Sequence, residues 1–177
     1  MLALAALIAL TSPIATEWVA VPPEPGFVAV YRRETAKEGI EESVPKGESF
    51  NQWTRMITRQ RFNVPMTPRV FAGRMAAGMS GACPGIVISP LTAGPREAFV
   101  EQRFDCPRNP QTGKPETTFL RAYAGAGAVH AVQFAFRSVP SAAQADWARQ
   151  RLAGTALCRG ASSSGLCRNP PPTMPLG

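Results

Sequence analysis

A hydrolase built on a serine or cysteine nucleophile needs a general base within hydrogen-bond reach, and in those classes the base is nearly always histidine. This chain has one, His130. Val132, Phe134 and Phe136 follow it at two-residue steps, so the face that would present a base to a substrate also reads as the apolar side of a buried strand. Glu101 and Asp105 share one face of a second extended segment, and paired carboxylates can divide acid and base work. Arg103 lies between them on that face, and signs that alternate at two-residue steps are the pattern of cross-strand ion pairs. Gly125-Ala126-Gly127 imitates a phosphate loop. The third glycine position is His130, however, and a strand follows where a helix N-terminus is required. No motif calls for a cofactor. The four cysteines contain no C-x-x-C pair, so with a single histidine no zinc site of the usual Cys/His kind is expected.

Positive charge is the other chemical resource. Net charge is +7, but residues 1–48 carry −3 and residues 49–177 carry +10, mostly as arginine. Arg55, Arg59, Arg61, Arg69 and Arg74 cluster in sequence, and an arginine-rich face attracts phosphate or carboxylate groups. These five are the candidate ligand-binding residues; the competing reading is a solvated surface. Nucleic acid is not an expected partner, because aromatic residues do not interleave with the arginines as a stacking groove requires.

The ends of the chain bear on compartment. Met1 to Leu10 is an unbroken apolar run of signal-peptide length, well short of the ~20 residues of a membrane span. Residues 1–15 are therefore expected to be an export signal, the mature chain to lack a transmembrane segment, and the protein to be periplasmic or secreted. Four cysteines are an even set, and exported cysteines are usually paired. Three pairings are open. Cys83 with Cys106, and Cys158 with Cys167, is the expected one, since the first pair joins a helix end to a strand end and the second is nearly local.

The elements that must position these residues follow from pattern. Phe27 to Tyr31 predicts a strand, and Ile40 to Val44 a second one at a sheet edge, because only Ile40, Glu42 and Val44 share an apolar-leaning face. Ser49 and Gln52 resemble a capping box, and Phe50, Trp53 and Ile57 recur at helical spacing, which predicts a helix over 49–60. Thr67-Pro68 starts another, with Phe71, Met75 and Met79 on one stripe. Ile86 to Ile88 reads as a short buried run, and 97–105, 116–122 and 129–138 as strands, the last two joined as a hairpin through Gly125-Ala126-Gly127. Ser141 and Gln144 cap a final helix carrying Trp147, Ala148 and Leu152 and ending near Cys158. Residues 159–177, rich in Pro and Ser, read as a disordered tail anchored at most by Cys167. Hairpins in place of alternating strand–helix units predict the α+β class, an antiparallel β-sheet with helices packed on it, as one domain over 26–158.

The turn Pro45-Lys46-Gly47-Glu48, the segment Asn51-Gln52-Trp53-Thr54 with Ile57-Thr58, the strand Glu101-Gln102-Arg103-Phe104 and the late Trp147 helix carry a resemblance. Across roughly 26–158 the chain resembles small exported proteobacterial proteins of unknown function with a Mog1/PsbP-like fold, an α/β/α sandwich. That resemblance implies a binding or assembly module and supplies no catalytic residues. The expectation is a non-catalytic module for an envelope protein or an anionic ligand or polymer; the alternative is a small periplasmic hydrolase using His130 or the Glu101/Asp105 pair.

Overall fold

The computed structural model describes residues 17–160 and 165–168. The expected export signal lies outside them, as does the expected tail apart from 159, 160 and 165–168. Within them the chain runs β1 (Glu17–Ala20), β2 (Phe27–Glu34), β3 (Glu38–Pro45), β4 (Arg55–Phe62), α1 (Pro68–Ala82), β5 (Val87–Ile88), β6 (Thr92–Ala93), β7 (Phe99–Cys106), β8 (Glu116–Ala124), β9 (Val129–Phe136), α2 (Ala142–Ala153) and β10 (Ala156–Arg159). Two 3-10 turns, Pro95–Glu97 between β6 and β7 and Leu166–Arg168 after β10, complete the described chain. The fold is α+β: one antiparallel sheet in the order β2-β3-β4-β9-β8-β7-β5, with β6 also on β7, and a separate ribbon of β1 with β10.

Both helices begin where their caps place them. The Thr67 hydroxyl accepts from Val70 N–H ahead of Pro68, and Ser141 and Gln144 form a reciprocal capping box. The α1 stripe packs Phe71 and Ala72 against Val100, Phe104, Leu120 and Val129 on one face of the sheet. On the opposite face, Ala145, Ala148 and Leu152 of α2 pack with Val19 of β1 against Phe119, Val132 and Phe134. Alternation supplies both cores from the same strands: in β8, Phe119 and Tyr123 point toward α2 while Leu120 and Ala122 point toward α1.

Four expectations are corrected. The segment predicted as a helix over 49–60 is instead a tight turn followed by the interior strand β4, hydrogen-bonded to both β3 and β9 along nearly its whole length. The cap residues serve the turn: Gln52 N–H donates to Ser49 Oγ at 3.2 Å, Ser49 N–H donates to Gln52 O at 2.9 Å, and the Glu48 carboxylate holds Thr54 N–H and its hydroxyl at 2.6 Å each. Two satisfied ladders outweigh a weak helical pattern that Ile57 and Thr58, both β-branched, already disfavour. Phe50 is consequently exposed, whereas Trp53 is buried with Val44, Met56 and Ala135. Next, β3 is interior and β2 is the edge. The polar face of β3 mimics an edge strand because Glu41 spends its charge sideways, between Arg32 of β2 and Arg59 of β4. Val87 in the run 86–88 is 65% exposed, since only the alternate Ile86 and Ile88 turn toward the α1-side core, where they are partly buried. Finally, α2 stops at Ala153 with Gly154 as its cap, and 156–159 turns extended because β1 offers it a ladder.

Both expected disulfides are present, Cys83–Cys106 with Cα atoms 5.9 Å apart and Cys158–Cys167 at 5.5 Å. The first ties the end of α1 to the end of β7. The second folds the 166–168 turn back onto β10, where Leu166 and Cys167 pack on Trp18, Ala20 and Cys158.

Candidate functional site

His130 is packed, at 2% exposure, beneath the ribbon. Its neighbour is neither Glu101 nor Asp105 but Glu17 of β1, whose Oε2 lies 3.6 Å from Nε2, an electrostatic contact too long for a hydrogen bond. Glu17 is itself sunk to 7% side-chain exposure, with Oε1 2.7 Å from Arg159 Nε and Oε2 accepting from Ala126 N–H at 2.7 Å. Gly125 is what the close approach demands: a Cβ there would stand 2.5 Å from Glu17 Oε2 and 2.9 Å from His130 Nε2. Burial pushes the imidazole down, the Glu17 carboxylate pulls it part of the way back, and Arg61 and Arg159 depress it again, leaving it below 6.5. For Glu17, burial pushes the carboxyl up, but the Arg159 guanidinium and the Ala126 N–H outweigh it and hold the group below its ordinary 4.5. The pair sits where the ribbon meets the sheet, and among the described residues the imidazole is covered rather than open to a substrate.

The two carboxylates of β7 are each engaged. Glu101 meets Arg121 at 2.7 Å, and Asp105 meets Arg103 at 2.7 Å and accepts from the Thr117 hydroxyl at 2.8 Å. Four residues along an extended strand separate their backbones by about 13 Å, wider than the ~5–9.5 Å at which carboxyl pairs work on one bond. Arg121 also lies 4.2 Å from the Phe99 ring centroid, so this side of β7 and β8 is a cross-strand ion-pair lattice with aromatic support.

The sheet divides the five candidate arginines. Arg55, Arg59 and Arg61 alternate along β4 on the face that carries α2 and the ribbon, whereas Arg69 and Arg74 ride on α1 beyond the opposite face. Arg55 is held between the rings of Phe27 and Trp147, at 5.3 and 5.5 Å. Arg61 is paired with Glu34, and Arg69 with Glu97 at 2.5 Å. Arg74 is exposed. Arg59 differs from the rest: its Nη2 goes to Glu41, but Glu41 is shared with Arg32 at 2.5 Å, so two guanidiniums stand against one carboxylate.

Arg59 also forms one wall of a cavity of about 520 Å³. A second wall is β1 and the chain just after it, through Trp18, Val21 and Pro23, and a third is the turn held by the Cys158–Cys167 bridge, through Leu166 and Arg168. Trp18 is 7% exposed, and its indole Nε1 has no hydrogen-bond partner among the described residues. Among those residues Arg168 makes no ion pair. Of this constellation the sequence singled out Arg59 alone. Trp18 stands in a four-residue strand ahead of the expected domain start at 26, and Leu166 and Arg168 fall in the expected tail. The available signal was Cys167, whose bridge to Cys158 obliges its neighbours to return to the domain.

Among the described residues no three His, Cys, Asp or Glu side chains are grouped to hold a metal ion, and no helix is long and apolar enough to cross a membrane. No protein-family model, no curated protein and no solved structure matches the chain.

Proposed function

We propose that the protein is a non-catalytic binding module that takes an anionic ligand or an acidic segment of an envelope partner at the Arg59 cavity, and that it acts in the periplasm or as a secreted protein. The observation that carries this reading is the cavity itself, with excess guanidinium charge in its walls and no reactive group among the residues that line it. Two disulfides suit an oxidising compartment, and the apolar run at Met1–Leu10 suits export. Helices on both faces of an antiparallel sheet are also what a Mog1/PsbP-like α/β/α sandwich would have, and that resemblance is offered as the fold family.

The test is calorimetric titration of the purified chain with phosphate, citrate, polyphosphate and octanoate, and with spermine as a cationic control, at low and at physiological salt. The expected result is anion-selective binding that weakens as salt rises and is lost in Arg59→Gln but kept in Arg74→Gln. Failure of every anion to bind at low salt would overturn the reading. Arg59→Gln is a clean probe because Glu41 keeps Arg32 as its partner.

A further inference from the structure

The walls of the cavity specify more than charge, and we infer that its ligand is an amphipathic carboxylate, a hydrocarbon-tailed monoanion whose head meets Arg59 and Arg168 and whose tail lies along Trp18, Val21 and Leu166. The inference rests on the anion-binding reading above and narrows the ligand class of that same site.

Three observations combine. The room available, about 520 Å³, is within the ~300–1,000 Å³ of small-molecule sites and far more than an inorganic anion fills. An inorganic anion at Arg59 would leave the apolar surfaces of Trp18, Val21, Pro23 and Leu166 facing water, which is the arrangement the hydrophobic effect disfavours. A purely apolar occupant would fail in the opposite sense, because it would strip water from two guanidiniums and return no hydrogen bond. Arg59 has the geometry for a carboxylate head: a guanidinium presents five N–H donors, and among the described residues only Nη2 is engaged, with Glu41. Trp18 adds a rigid apolar surface to the same wall.

The third wall exists because of the Cys158–Cys167 bridge. It closes a ring over a sequence separation of 9 and presses Leu166 and Cys167 onto Trp18. Without it, Leu166 and Arg168 would have no covalent reason to stay beside β1. Tail binding should therefore depend on this bridge, whereas a contact of a bare carboxylate with Arg59 on β4 should not.

The experiment compares sodium octanoate with acetate, octanol and octylammonium, by calorimetry on the full chain, for wild type, Arg59→Gln, Leu166→Ser and the Cys158→Ser/Cys167→Ser double variant. A melting curve for each variant confirms that it is folded. At ~4-fold per buried methylene, octanoate should bind at least roughly tenfold tighter than acetate, and the head group should set it at least roughly tenfold apart from octanol and octylammonium. Leu166→Ser should weaken octanoate severalfold without changing acetate, the double-serine variant should weaken octanoate more than acetate because it releases Leu166 together with Arg168, and Arg59→Gln should weaken both anions. If phosphate or citrate binds through Arg59 while octanoate binds no better than acetate, this inference fails and the anion-binding reading stands. If octanol matches octanoate, the charged head is wrong and the inference fails. If no anion binds at all, both fall together.

Discussion

The two faces of the sheet are closed by different means, and the difference locates the chemistry. On the α1 face, Val100, Phe104, Leu120, Ala122, Val129 and Ala131 meet a helix through apolar contacts. On the other face, α2 covers an aromatic core, but where the β1–β10 ribbon takes over the strands present His130, Arg59 and Arg61, and the ribbon answers with Glu17 and Arg159. A helix with a full apolar stripe can exclude water over a broad strip of sheet. A ribbon of two four-residue strands cannot, so it is seated by a few polar contacts around the buried Glu17 and leaves a cavity beside them.

The comparison can be broken most sharply in the α1-side core. Phe104 is fully buried, and Phe104→Ala should cost about 3–5 kcal/mol, the range for large aromatic truncations; Trp53→Ala, behind β3 and β4, should be of the same order. Urea unfolding of each variant checks this. Near-native midpoints would mean that those faces are looser than their burial shows. Next come the bridges. Chain entropy assigns about 3.4 kcal/mol to Cys83–Cys106 and about 2.7 kcal/mol to Cys158–Cys167 for rings of these lengths. The functional difference should be larger than that gap: opening the first loosens α1 from β7 and lowers the global midpoint, whereas opening the second releases the turn from Trp18. Hydrogen exchange should then rise throughout the sheet in the first case and chiefly in β1 and β10 in the second.

The capped helices α1 and α2, the β8–β9 hairpin and both bridges were legible in the sequence because each rests on local chemistry: a hydroxyl before a proline, a reciprocal Ser–Gln pair, a glycine turn, cysteines at the ends of elements. β4 was not, since Phe50, Trp53 and Ile57 satisfy a helical period while Arg55, Ile57, Arg59 and Arg61 satisfy a strand period, and only pairing with β3 and β9 decides between them. Nor was the ribbon, because Trp18 finds its partner at Cys158, and short strands joined across nearly the whole chain leave no local trace. The cavity inherits that difficulty. It needs β1, β4 and the bridged turn together, and only Arg59 stood out beforehand.

A smaller effect separates the faces by pH. His130 and Glu17 are both held below their ordinary values, so the unfolded chain takes up their protons first. Their contribution is complete above about pH 6.5 and is lost as pH falls, His130 leading and Glu17 following below about 4.5. Glu42, on the opposite face of β3, is shifted the other way: burial raises it more than its hydrogen bond with Thr58 lowers it. Its contribution therefore grows as pH falls through its raised pKa toward 4.5, opposing the loss at the ribbon. Urea midpoints measured from pH 7.5 to pH 4 should decline in wild type and decline less between 6.5 and 5 in His130→Gln. An unchanged slope would remove the histidine from the account. The smallest effect belongs to the exposed Arg69–Glu97 pair, where Arg69→Gln should leave the melting curve where it is.

The claim that the ribbon side is the binding side is tested most directly by the three tryptophan indole N–H signals in a nitrogen-proton correlation spectrum during an octanoate titration. Trp18 lines the cavity, Trp53 is buried with Val44 and Met56, and Trp147 packs on Phe134 and Phe136. The account predicts that the Trp18 signal shifts saturably, that the other two stay in place, and that the shift disappears in Arg59→Gln. A static Trp18 signal, with Trp53, Trp147 or the amides of α1 responding instead, would contradict it.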